Sequence, residues 1–324
     1  MLPLLALLAG IALTFAASLL FTEAAERLGE EMGLGSSFLG SVLSPLFTST
    51  PELAVLLISV LLYGREGGEV GAGTVLGEPF MIKTMAIVLV LLAAAAGSAL
   101  GARGRGVSVD RELWVPYAFF TILYPLVVLP AALPASRIPV AATLAASYIA
   151  YAYAMSRRRG SPLEAEGPAI LERALGGSRA AIALQLAASV PLLLVGSRAL
   201  VGSTVDLSRA LGIPTISLSI ILVPLATALP ETLSSMIWAF RGRDTLAVGA
   251  LVGEAVMFST VYPALGILLT DWALNAAAMF SVAATELAST VILWQVRSGR
   301  LGPISAAVGL ALYAAYALVV GIAA

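Results

Sequence analysis

Residues 32–52 read MGLGSSFLGSVLSPLFTSTPE and residues 211–231 read LGIPTISLSIILVPLATALPE. The two stretches align without a gap at an offset of 179, with eight of 21 positions identical; Pro45 matches Pro224, Thr48 matches Thr227, Pro51 matches Pro230 and Glu52 matches Glu231. A second pair follows at an offset of 176, where Gly73-Thr-Val-Leu-Gly77-Glu78 matches Gly249-Ala-Leu-Val-Gly253-Glu254. The chain is an internal duplication, and each copy carries two prolines six residues apart inside an apolar run. Proline lacks the amide donor and its ring clashes with the preceding turn, so a helix through either stretch is expected to break.

Outward from these stretches the chain is strongly apolar, with 60% hydrophobic and 11% charged residues among its 324, against roughly 25% charged in a soluble domain. A bilayer core of about 30 Å takes around 20 helical residues. Ten apolar stretches qualify: 2–22, 36–63, 70–101, 113–134, 138–155, 180–200, 213–240, 246–269, 272–296 and 303–323. The first reads as a spanning helix rather than a secretion signal, because no Lys or Arg precedes it and its apolar run exceeds a short signal core. The repeat unit is then five helices, 1–155 and 179–324, joined by a cytoplasmic linker at 156–178 that is too small for a folded domain. Because five is odd, helix 2 and its counterpart helix 7 cross in opposite directions. That is the inverted-repeat plan of many secondary transporters, with ion sites near the midplane. The expected fold is an all-α integral membrane protein of ten transmembrane helices in two inverted five-helix repeats, with helices 2 and 7 broken.

Arginines set the orientation. Loops after odd helices hold thirteen (Arg27, Arg103, Arg105, Arg111, Arg157, Arg158, Arg159, Arg173, Arg179, Arg241, Arg243, Arg297 and Arg300), and the other side holds four (Arg65, Arg137, Arg198 and Arg209). The positive-inside rule puts the thirteen in the cytoplasm and both termini outside, in a multi-pass protein of the cell membrane. Trp114, Trp238, Trp272 and Trp294 fall near predicted helix ends, where an aromatic belt sits.

There is no Cys and no His, so disulfides, thiolate metal sites and cysteine nucleophiles are excluded and proton chemistry in the membrane falls chiefly to carboxylates. Just after the second proline of each broken helix stands Glu52 or Glu231, and just before it stand hydroxyls: Thr48, Ser49 and Thr50 in one copy, Thr227 in the other. Freed carbonyls and hydroxyls beside a carboxylate are ligands for Ca²⁺ or Na⁺. The plainer reading, Ser49-x-x-Glu52 as a capping box, is weakened because Ala228 stands where the second copy would need the Ser. Glu78 and Glu254 each follow a Gly-x-x-x-Gly pair, a spacing that serves close helix approach, and their symmetric placement predicts one cluster of four carboxylates, Glu52, Glu231, Glu78 and Glu254. Four such charges in low dielectric require cations or protons to coexist. Lys83, the single lysine, reads equally as a counter-ion to one carboxylate or as a side chain snorkelling to the interface. Glu286, with no counterpart in the first half, reads as an accessory proton site or as a residue with a local partner.

Thr-Ser-Thr-Pro-Glu-Leu at 48–53 and Thr-Ala-Leu-Pro-Glu-Thr at 227–232 resemble the two alpha-repeat motifs of the sodium/calcium exchanger (cation/Ca²⁺ antiporter) family. The resemblance covers nearly the whole chain, including a Gly-rich motif on the helix after each Pro-Glu motif. It implies that Glu52 and Glu231 are central Ca²⁺ ligands and that Thr48, Ser49 and Thr227 supply oxygens to Ca²⁺ or Na⁺. The second motif departs from the usual Gly-Asn-x-x-Gly-Ser-Asn-x-x-Asn/Asp: the Ser is replaced by Glu78 and Glu254, and the position one turn later by Ile82 and Phe258. Phe47 and Ala226 replace glycines of the first motif.

The expected function is antiport of Ca²⁺ or another divalent cation against Na⁺ or H⁺ by alternating access, with exchange for protons only, or a divalent-cation channel, as alternatives. An intramembrane enzyme lacks His, Cys, a paired-aspartate motif and a long loop for a headgroup site. No cofactor, nucleic-acid partner or obligate protein partner is expected; the partners are membrane lipid and inorganic cations.

Overall fold

The structure is a computed structural model that describes residues 2–31, 49–156, 169–175 and 177–322. It is built from helices, with one antiparallel pair of two-residue strands, β1 (Val107–Ser108) and β2 (Arg300–Leu301). The longer helices are α1 (Leu2–Glu31), α2 (Thr50–Met81), α3 (Ile87–Ala99), α4 (Trp114–Leu123), α5 (Arg137–Ser156), α6 (Arg179–Leu211), α7 (Thr215–Leu222), α8 (Leu229–Phe240), α9 (Asp244–Met257), α10 (Val261–Leu269), α11 (Ala276–Arg297) and α12 (Pro303–Ile322).

Among the described residues seven helices are long and apolar enough to cross a membrane, and eight if the bent pair 215–227 and 229–240 is one span. Of the expected span 36–63, residues 36–48 lie outside the described residues; the rest of the difference from ten separate spans has local causes. Residues 50–99 form one 50-residue apolar run, yet it turns at Gly64, whose φ of 56° and ψ of −133° lie outside helical space in a region that favours glycine. α5 carries Arg137, Tyr148, Tyr151 and Tyr153, which dilute its apolarity. Residues 215–227 and 229–240 meet at 55°, with Pro224 and Pro230 each in the first turn of the segment it opens. The matching proline Pro45 lies outside the described residues.

Small residues set how closely the two halves meet. α1 packs along α6, where a Cβ on Gly10 would sit 2.8 Å from the Leu200 backbone nitrogen and one on Gly196 2.8 Å from that of Thr14. α2 crosses α7 still more tightly: a Cβ on Gly73 would lie 2.5 Å from Ser219 Cβ, and one on Gly77 would lie 2.6 Å from the Ile220 carbonyl oxygen. For the second Gly-x-x-x-Gly pair, among the described residues, which leave out 32–48, a Cβ on Gly253 would meet nothing within 4 Å, and one on Gly249 only Leu113 Cδ2 at 3.6 Å. Of these paired glycines, Gly73 and Gly77 make the tight contacts among the described residues, because a glycine permits close approach only on the face a neighbour covers. Gly77→Ala is expected to lower stability by about 1–3 kcal/mol through overpacking, a loss read by thermal unfolding in detergent.

The aromatic belt also needs one correction. Trp114 and Trp294 are exposed, but Trp272 is 1% exposed, its ring against Gly266 and its Nε1 donating to the Val127 carbonyl at 2.8 Å. It serves as a core plug beside α10.

Polar ties gather at the helix ends. Arg103, in the loop after α3, donates to both Asp244 oxygens, Oδ2 at 2.7 Å, and to the carbonyls of Ala239 and Gly106. Asp244 also accepts from the Ser108 amide at 2.8 Å, so α3, β1 and the α8–α9 turn are joined at one point. On the other side Arg137 caps α10 through the carbonyls of Ile267, Thr270 and Asp271. Near the linker, Arg27 of α1 holds Glu172 with contacts of 3.0 and 3.2 Å, and that guanidinium keeps the Glu172 carboxyl below its usual range. A carboxyl depressed on folding stabilises the fold above its unfolded value, about 4.3, and loses that contribution as the pH falls through the folded value. Hydrogen exchange of residues 170–174, corrected for intrinsic rates, should therefore accelerate below about pH 4, and Glu172→Gln should show the same acceleration at neutral pH.

Candidate functional site

Both Pro-Glu motifs do the same local work. Pro51 opens α2 and puts Glu52 in its first turn; Pro230 opens α8 and puts Glu231 in its first turn. Each carboxylate thereby sits at the electropositive end of a helix. The capping box is not formed, since Ser49 precedes α2 without a side-chain cap hydrogen bond.

The site is where these two helix starts meet α9. One carboxylate oxygen from each of Glu52, Glu231 and Glu254 lies within 4.8 Å of the others. Ca²⁺ takes oxygen ligands at roughly 2.3–2.6 Å, so two ligands on opposite sides stand about 5 Å apart at most; the observed spacing fits one such ion. Glu52 is 0% and Glu254 4% exposed, with Glu231 half-buried. Both oxygens of Glu52, both of Glu231 and Oε1 of Glu254 have no hydrogen-bond partner among the described residues. Buried acceptors in native proteins are nearly always satisfied, and acceptors left open toward a common point are what a cation needs.

Glu78, fully buried on α2, joins through Thr227: the threonine hydroxyl donates to Glu78 Oε2 at 3.2 Å, while Glu78 Oε1 has no partner among the described residues. The charges of the other three carboxylates reach it. The structure therefore brings together Glu52, Glu231 and Glu254 directly and Glu78 with Thr227 at their edge. Ser49 contributes its carbonyl to the hydroxyl of Tyr262; Thr48 lies outside the described residues. Lys83 does not reach the interface and is fully buried, with its ammonium over Tyr117 and Phe120.

Tyr262 escaped sequence reasoning. Its ring stacks on Phe258, 4.4 Å between centroids, and its hydroxyl anchors the backbone that opens α2. The only signal was an aromatic pair four residues apart, which ordinarily marks core.

Fold and site together define a multi-pass membrane protein in which carboxylates from both halves of the chain meet within the apolar layer. The chain belongs to the sodium/calcium exchanger protein family, whose sequence profile matches residues 2–157 and 181–323. A presumed antiporter, CaxA of Alkalimonas amylolytica, is 26% identical over 133 residues, a match covering 40% of this chain and 42% of that protein's length. Among solved structures, the H⁺/Ca²⁺ exchanger CAX superposes with a TM-score of 0.73 at 17% identity, over 99% of this chain and 87% of its own. The sodium-calcium exchanger NCX_Mj superposes with a TM-score of 0.60 at 18% identity, over 98% of both chains. At these identities the likeness to solved structures is one of fold.

Proposed function

We propose that this protein is a secondary active transporter that exchanges Ca²⁺, or another divalent cation, for H⁺ or Na⁺ by alternating access. The observation that carries this reading is the meeting of Glu52, Glu231 and Glu254, from both copies of the duplicated motif, with one oxygen of each within 4.8 Å of the others and no hydrogen-bond partner among the described residues for either oxygen of Glu52 and Glu231 or for Oε1 of Glu254. Glu52, Glu231, Glu254 and Glu78 are the cation ligands in this reading, with Thr227, Ser49 and Thr48 as the neighbouring oxygen donors. The family supports it, as do the names of two similar solved structures, the H⁺/Ca²⁺ exchanger CAX and the sodium-calcium exchanger NCX_Mj.

The architecture belongs to the same proposal: two inverted five-helix units, 1–155 and 179–324, a cytoplasmic linker at 156–178, and both termini outside. Seven spans and the bent pair, with 50–99 counted as two rods about Gly64 and α5 counted as a span, make ten. Rocking of one unit against the other exposes the shared site to each side in turn.

Of the two coupling ions, the site favours H⁺. Ile82 and Phe258, 1% and 0% exposed, are apolar where the family motif carries Asn or Asp, which removes uncharged oxygens suited to Na⁺. Carboxylates gained at 78 and 254 add groups that must take up protons when the divalent ion leaves. Ca²⁺ uptake into proteoliposomes under an outward H⁺ gradient, an outward Na⁺ gradient or neither tests this. Uptake driven by the H⁺ gradient is expected; uptake driven by Na⁺ alone overturns the proton preference, and flux independent of any gradient would make the protein a channel.

A further inference from the structure

Lys83 stands apart from the four glutamates. It lies in a π-helical segment, Ile82–Ala86, that interrupts the helix between α2 and α3, and such segments frequently accompany functional sites. Its side chain is 0% exposed. The ammonium is 4.1 Å from the centroid of the Tyr117 ring and 4.6 Å from that of Phe120, and it has no hydrogen-bond partner among the described residues. Aromatic faces attract a cation but accept no proton from it. Buried ammonium groups ordinarily hold a carboxylate or several acceptors.

The groups around it are few. α11 brings Glu286, the carboxylate whose charge reaches Lys83; it is half-buried and its Oε1 has no hydrogen-bond partner among the described residues. α4 and the turn after it bring the buried hydroxyls of Tyr117 and Tyr124. α12 carries no charged residue; it approaches closely through Gly309, whose Cβ would sit 2.9 Å from the Thr84 carbonyl oxygen, and its Tyr313 and Tyr316 stand against Phe80. α3 has no charged residue, and α8 has only Glu231, in its first turn at the cation site. Lys83 follows Glu78 by five residues, about 7.5 Å of helical rise.

We infer that Lys83 and Glu286 form a second ionisable site, which releases a proton when the carboxylate site takes up a divalent cation and regains it when the cation leaves. The inference rests on the exchanger reading and adds a proton carrier outside the cation ligands. A divalent ion beside Glu78 repels the Lys83 ammonium. An N–H bond breaks, the amine keeps the electron pair, and the proton passes to the Glu286 carboxylate and from there to water. When the cation departs the steps reverse. By linkage, protonation of Lys83 weakens cation binding by the factor by which the cation weakens protonation.

The single lysine makes the test direct. Lysine labelled with ¹³C at the ε-carbon gives one side-chain resonance, whose position reports amine or ammonium as the pH is varied. In the wild-type protein without Ca²⁺ the resonance should titrate reversibly, and Glu286→Gln should weaken the proton affinity of Lys83 about tenfold, as loss of a nearby opposite charge does. Adding Ca²⁺ to the wild type should weaken it by at least as much, and Lys83→Met should lower the protons released per Ca²⁺ bound by about one. A resonance that does not titrate, or one that Glu286→Gln leaves in place, overturns the inference without reference to transport. If calorimetry shows no Ca²⁺ binding while the Glu286 effect stands, the exchanger reading fails and the paired site does not. If Ca²⁺ binds and the resonance is unmoved, the coupling is overturned while the exchanger reading stands.

Discussion

Glu52→Gln and Glu231→Gln should each lower Ca²⁺ uptake into proteoliposomes by at least about 100-fold, the upper end of what loss of a supporting group around a metal costs. Glutamine keeps one oxygen in nearly the same place but removes a full negative charge and points an amide donor at a neighbour. At this site the neighbours are other carboxylates, with one oxygen from each of three residues inside 4.8 Å. The charge is the quantity that matters, because the ion must exchange its water shell for these oxygens inside an apolar layer. Folding should survive in both variants, since neither carboxylate is a hydrogen-bond partner that the fold relies on among the described residues. An independent readout is thermal stabilisation by Ca²⁺. Ligand at a hundred times its dissociation constant adds about 2.7 kcal/mol to the stability of the wild type, and that increment should vanish in either variant. Full flux in both would move the cation site elsewhere.

Arg103→Met should destabilise the protein by about 3–5 kcal/mol, the cost of leaving one member of a buried ion pair unpaired. Both side chains of the Arg103–Asp244 pair are 6% exposed, and the guanidinium also serves the carbonyls of Ala239 and Gly106. Methionine fills much of the volume but supplies no donor, so Asp244 loses the guanidinium and keeps the Ser108 amide. The double variant Arg103→Met, Asp244→Leu should recover most of the loss, because removing both charges avoids the unpaired one. Equal unfolding temperatures for the single variant and the wild type would show that water replaces the arginine at this membrane edge.

How much was legible beforehand differs from residue to residue. Glu52 and Glu231 stood out because a carboxylate after a proline in an apolar run has few other reasons to be there, and both do lie in the first turn of a helix opened by a proline. Glu78 and Glu254 were read as equivalent, yet Glu254 lies among the three converging oxygens while Glu78 is reached through Thr227. A duplicated sequence specifies spacing along each helix and leaves the relative rotation of the helices to their neighbours. The close approach at Gly73 and Gly77 has the same origin, since it needed α7 on that face of α2. Lys83 was weighed between a counter-ion role and snorkelling to the interface; it is fully buried, with its ammonium over two aromatic rings. The aromatic faces that receive it come from α4, more than thirty residues along the chain.

By itself the sequence determined that this chain is a multi-pass membrane protein, that its Pro-Glu motif occurs twice, and that, without His or Cys, carboxylates are the candidates for its ion chemistry. Those properties follow from transfer free energies and from the missing amide of proline, which act wherever the residues stand. Only the tertiary structure decided which carboxylates converge, that Tyr262 holds the start of α2, that Trp272 is core, and that the single lysine rests on two aromatic rings. Each of these depends on how helices distant in sequence are rotated and how closely they cross. That is settled by side-chain volumes across the contact, which no spacing along one segment contains.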